Sequence, residues 1–239
     1  MSQEMQSFEP APSGTPMSVF QTWIMAVTKP NPETFTRIAN DPGASPGKAY
    51  LWVFIAALLS SLMTTIVQSA SIRRILEQSG MGGNNGIGVG LTTMICSVPI
   101  GAVLMVIFFA IGVALVQMVA RMFGGTGTYN QLLYASSAIY VPFAVLTALI
   151  SLFGLIPFVG FCFGIIAFLA AIYALVLYVM AVKGVNAFGW GAAIGAAILP
   201  GLVIFLLVFC CVLVALFALG PTIGNIFSTI NQSLGSGYY

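Results

Sequence analysis

The 239-residue chain is 59% hydrophobic and only 5% charged, with a net charge of +2 and a mean hydropathy of +1.06. Soluble domains carry about 25% charged residues, so a water-soluble fold is excluded. The small, scattered charge leaves no basic footprint for nucleic acid, and the absence of histidine removes the commonest metal ligand, general base and haem axial ligand.

Residues 1–16 are rich in Ser, Gln, Glu, Pro and Thr without apolar periodicity, which predicts a disordered tail. They lack the basic start and apolar core of a secretory leader, and neither end carries an acylation or prenylation signal. Over residues 17–28 the apolar positions Val19, Phe20, Trp23, Ile24 and Val27 recur at helical spacing, and Pro30 and Pro32 end the run. Asn31 then caps a second short helix with Pro32 at its first position and Phe35 and Ile38 on one side. Residues 17–48 are thus expected as interfacial amphipathic helices on the inner side, with Trp23 anchoring at headgroup level. Docking onto the membrane domain is the equal alternative.

Ten of the twelve charges lie before residue 78, and only Arg121 and Lys183 follow. A crossing helix needs about 20 apolar residues, and the charge-free gaps hold five. They fall at about 49–71, 96–119, 132–153, 158–182 and 194–219. Ser45 and Pro46 start the first. The glycine-rich stretch 80–90 before the second reads as a flexible connector, since it lacks the lysine and hydroxyl residue of a phosphate-binding loop. Gly154 to Pro157 breaks the third span from the fourth. Continuous apolarity over each run favours helices over a barrel. The fold class is therefore an all-α, five-span bundle, residues 49–219, with an amphipathic tail at 220–239. That tail carries Ile223, Ile226, Phe227 and Ile230 on one face and suits either the outer interface or a partner protein.

An odd span count puts the termini on opposite sides. With the N-terminus inside, the inner segments hold Lys29, Arg37, Lys48, Arg121 and Lys183, against Arg73 and Arg74 outside. The bias favours a cytoplasmic N-terminus and an external C-terminus, as in the cytoplasmic membrane of a prokaryote.

No ionisable residue falls inside a span, so ion-coupled transport is disfavoured. Arg121 and Lys183 are placed to snorkel at helix ends, with Trp190 as a further interfacial anchor. The four cysteines make no metal-ligand pattern and read as apolar packers. No nucleophile–base pair, carboxylate pair or metal cluster assembles, so neither catalysis nor a cofactor is expected. Small-residue pairs Gly160/Gly164 and Gly191/Gly195 mark close helix packing, Pro99, Pro142 and Pro200 mark kinks, and Ser136, Ser137 and Tyr140 are candidates for a small polar cavity.

Three stretches together resemble the Yip-domain family, the Ypt/Rab-interacting five-span membrane proteins, in a prokaryotic-type member. They are Trp23 to Pro30 followed by Pro32 to Ile38; Gly124-Gly125-Thr126-Gly127-Thr128-Tyr129 running into Leu133 to Ser137 and Pro142; and Val179 to Gly184 followed by Ala192 to Pro200. The resemblance implies a five-helix bundle, a cytoplasmic N-terminus and no catalysis. In eukaryotic members it also implies small-GTPase binding and roles in vesicle traffic or membrane shape. The Asp-Leu-Tyr-Gly-Pro type of motif that accompanies GTPase binding is replaced here by the stretch from Asp41 to Lys48, so a small-GTPase partner is not carried over. The expected partners are the lipid bilayer and other membrane proteins or a second copy. The expected role is membrane organisation or an accessory scaffold, the alternative being a passive permease lined by Ser, Thr and Tyr.

Overall fold

A computed structural model describes residues 16–78, 86–154, 156 and 159–235. Seven helices follow in order: α1 Val19–Thr28, α2 Pro32–Ala39, α3 Pro46–Gln78, α4 Gly86–Met122, α5 Tyr129–Phe153, α6 Val159–Asn186 and α7 Trp190–Gly235. Five of them, α3 to α7, are long and apolar enough to cross a membrane. The expected tail up to residue 15, residues 80–85 of the connector, and Leu155 and Pro157 of the interhelical break lie outside the described residues.

The helix starts follow from side-chain caps that take orphan amide protons. Ser18 Oγ accepts from Gln21 N–H at 3.3 Å, Asn31 Oδ1 from Glu33 N–H at 3.2 Å and Ser45 Oγ from Lys48 N–H at 3.3 Å. Thr128 and Gln131 form a reciprocal capping box, which starts α5 at Tyr129, ahead of the residue 132 that hydropathy alone suggests.

Two elements run further than the sequence implies. Helix α4 reaches back to Gly86, into the glycine-rich stretch expected as connector. Each glycine costs about 1 kcal/mol in a helix relative to alanine, but extending an existing helix avoids a new nucleus. Helix α7 continues through Pro221 to Gly235 instead of ending near residue 219. Proline removes one backbone hydrogen bond there, while extending the existing helix past it avoids a new nucleus.

The chain divides into two compact units, one ending at Ala197 and one starting at Ile198. In the first, α3 packs on both α4 and α5, α5 packs on α6, and the short helices α1 and α2 lie against α5 and α6. Trp52, Leu132, Leu133, Leu177 and Val182 fill its core. The second unit is the remainder of α7, apolar on every face from Leu202 to Leu219, the pattern of a helix meant for hydrocarbon.

Candidate functional site

Helix α1 is fixed at both ends. At its start the Asp41 carboxylate accepts the Met17 N–H at 3.1 and 3.3 Å and the Gly43 N–H at 3.0 Å. At its far end Tyr173 donates its hydroxyl to Val27 O at 2.7 Å, and Thr28 Oγ1 bonds Ile24 O at 2.7 Å. Both satisfy terminal carbonyls that hydrocarbon would leave stranded. Tyr173 lies ten residues before Lys183 on α6, a rise of about 15 Å, so its bond holds Val27 well below the level of Lys183. The chain then returns, and α2 docks where Thr36 Oγ1 bonds Gly184 O at 2.7 Å, with Pro32 O so close to Gly184 that a Cβ has no room. Helix α1 therefore dips along the bundle to partial depth.

One face of α1 is committed to that bundle. Thr22 and Ala26 are fully buried, and the Trp23 ring meets Trp52 edge-on at 5.6 Å, which in turn meets Tyr134 at 5.1 Å. The opposite face presents Phe20, 69% exposed, with Ile24 beside it. Trp23, expected as an interfacial anchor, is half-buried against Trp52.

At the same end an amide pair ties three segments together. Gln117 of α4 and Asn186 of α6 are buried; Gln117 Nε2 donates to Asn186 Oδ1 at 2.9 Å and to Gly127 O at 2.7 Å, and Asn186 Nδ2 donates to Val182 O at 3.0 Å. The turn between α4 and α5 is folded over this pair. Gly124 has φ +84°, a conformation that glycine adopts at least cost, and a Cβ on Gly127 would lie 2.6 Å from Val185 O.

At the opposite half of the bundle a cavity of about 720 Å³ opens between α3, α4, α5 and α6. Helix α3 contributes Ser60, Ser61, Thr64, Thr65 and Gln68; α4 adds Ser97 and Gly101; α5 adds Tyr140 and Thr147; α6 closes one side with Ala171 and Ala174. Gly101 lets α3 and α4 approach, since a Cβ there would be 3.3 Å from Ser61 Oγ. In the half of the bundle that carries α1 and α2, Leu132, Leu133 and Leu177 fill the core, so the cavity is closed at that end.

Of the residues singled out from sequence, Tyr140 lines this cavity, while Ser136 and Ser137 are buried in the core. Ser137 Oγ bonds Tyr134 O at 2.8 Å, and Ser136 Oγ sits beside Tyr178 without a well-formed hydrogen bond. Gly160 abuts the backbone of Gly154, its virtual Cβ 3.1 Å from Gly154 Cα, and Gly195 abuts the Phe123 ring at 3.3 Å, while Gly164 and Gly191 have no neighbour within 4 Å of theirs. Pro99, Pro142 and Pro200 lie inside continuous helices. Arg121 and Lys183 occupy last turns, and Lys183 Nζ stands 5.0 Å from the Trp190 ring centroid, a cation–π contact. Sequence reasoning missed Gln117, Asn186 and the hydroxyl stripe of α3. The usable signals were an amide inside an otherwise apolar span and polar residues repeating every three or four positions from Ser60 to Gln68.

These features define a helical membrane protein: five helices able to span a bilayer, two short helices docked at one end, and toward the other a pocket lined by hydroxyls and apolar side chains. The model of the Yip1 domain family matches residues 25–212, and the chain belongs to that family, which is not known for catalysis. No curated protein and no solved structure matches it.

Proposed function

We propose that this Yip1-family protein is a non-catalytic membrane organiser that acts through α1 as a wedge in one leaflet. The supporting observation is that α1 is anchored at both ends and dips to partial depth with Phe20 and Ile24 turned outward. An apolar helix that enters only one leaflet adds area to that leaflet alone, which favours curvature toward it. Burying Phe20 and Ile24 in lipid contributes about 1.5–3 kcal/mol each, enough to bias where the protein settles among membranes of different curvature. The excess of Lys and Arg at this end favours a cytoplasmic N-terminus and an external C-terminus, in the cytoplasmic membrane of a prokaryote. The apolar surface of α7 beyond Ile198 suits lipid, a second copy or another membrane protein. The filled inner half of the bundle speaks against a continuous permeation pathway.

The test is enrichment of the reconstituted full-length protein on thin tubes pulled from giant vesicles. Phe20→Glu combined with Ile24→Glu should abolish enrichment on tubes, while insertion of the spans is retained. Equal enrichment of variant and parent refutes the wedge.

A further inference from the structure

The cavity at the far half of the bundle has no part in the wedge, and its lining is unusual for a place surrounded by hydrocarbon. Ala57 and Tyr140 each stand eleven residues into their helices, α3 and α5, which at the helical rise puts them about 16 Å in, near the middle of a hydrocarbon layer of about 30 Å. From that depth the cavity runs outward to Gln68. It opens sideways between α4 and α6, which meet at the far-off Gln117–Asn186 pair, and Met105 and Ala171 are exposed at its rims.

The wall combines a polar strip with an apolar one. Thr65 Oγ1 donates to Ser61 O at 2.7 Å and Thr147 Oγ1 to Phe143 O at 2.8 Å, so their protons are engaged within their own helices and their lone pairs are left as acceptors. The Tyr140 ring is held against Phe109 at 5.2 Å, leaving its hydroxyl as the donor at the deep end. Ala57, Phe143, Ala171 and Ala174 supply the apolar strip. No described lining residue is charged.

We infer that this pocket binds an uncharged, hydroxyl-bearing lipid of the diacylglycerol or long-chain alcohol class, taken up laterally from the far leaflet. The volume, about 720 Å³, lies within the range of small-molecule sites. Hydroxyls in hydrocarbon favour an occupant that brings its own polar group to their depth. A phospholipid does the reverse: its charged head stays at the surface and its acyl chains would lie against Ser61 and Tyr140, offering their hydroxyls no partner, while Ser60 Oγ already donates to Ala144 O at 3.4 Å. Its phosphate would also find no cation in the pocket wall.

The experiment uses the full-length protein in phosphatidylcholine nanodiscs with a diazirine-bearing diacylglycerol as probe, reading labelled peptides by mass spectrometry. Labelling should be saturable, map to α3, α4 and α5 around the cavity, and fall on competition with unlabelled diacylglycerol or with hexadecanol, whichever competes better identifying the source. Phosphatidic acid with the same chains should compete at least tenfold less well. Tyr140→Phe, which keeps the ring and removes only the hydroxyl, should weaken saturable labelling about fivefold, and Ala171→Phe should block the lateral mouth and abolish it. Should Ala171→Phe misfold, Tyr140→Phe decides alone. Labelling that does not saturate, that phosphatidic acid suppresses equally, or that Tyr140→Phe leaves unchanged overturns the inference.

Discussion

The amide pair gives the sharpest quantitative test, because its partners lie on different helices. Replacing Asn186 by Ala removes the acceptor of the 2.9 Å bond from Gln117 and the donor of the 3.0 Å bond to Val182 O. Gln117 keeps its 2.7 Å bond to Gly127 O, but its own carbonyl oxygen loses Asn186 Nδ2, which stands 3.4 Å away. A buried polar group stripped of its partner costs about 1–3 kcal/mol, so Asn186→Ala should destabilise the bundle by about 2 kcal/mol. Gln117→Ala should cost somewhat more, since it also frees Gly127 O and opens space in a packed interface. The double variant isolates the interaction: inter-helix hydrogen bonds in membranes couple by about 0.6 kcal/mol on average and up to about 1.7, and this buried pair belongs at the upper end, about 1–1.5 kcal/mol. Unfolding of the full chain in mixed micelles, followed by tryptophan fluorescence, measures all four corners of the cycle. Strict additivity, or single effects under about 0.5 kcal/mol, would refute the view that this pair holds α4, α6 and the intervening turn in register.

Further changes test the neighbouring geometry. Gly127→Ala places a methyl 2.6 Å from the backbone oxygen of Val185, which cannot rotate away, so a loss of about 2–3 kcal/mol is expected; Gly189→Ala, with nothing within 4 Å, should stay within about 0.5 kcal/mol. Ala187 ends α6 at φ 54°, where an L side chain is strained by about 1–2 kcal/mol; Ala187→Gly should therefore raise the melting temperature by a few degrees. Tyr173→Phe removes the bond that satisfies Val27 O and should speed amide exchange over α1 without changing protection of α5; unchanged exchange would detach α1 from α6. Gly184→Leu should expel α2 by collision with Pro32 O, seen as new protease cleavage between residues 30 and 45.

The span number, the caps at Asn31 and Ser45 and the membrane class were legible in the sequence because each is a local property. A run of apolar residues is long enough or it is not, and Asn31 before Pro32 caps a helix wherever that helix docks.

What lay beyond the sequence was every relation between helices. Nothing in the order of residues says that Gln117 meets Asn186 across 69 positions, or that Ser60 and Tyr140 face a common space while Ser136 and Ser137 turn into the core. Helical periodicity fixes which residues share a face, but the rotation of each helix about its axis is fixed only when its neighbours pack. In lipid, apolar side chains gain little from choosing a protein neighbour over an acyl chain, so hydropathy does not discriminate among those rotations. Close fits at Gly127 and Gly184, and a handful of buried hydrogen bonds, make that choice, and they exist only in the folded protein.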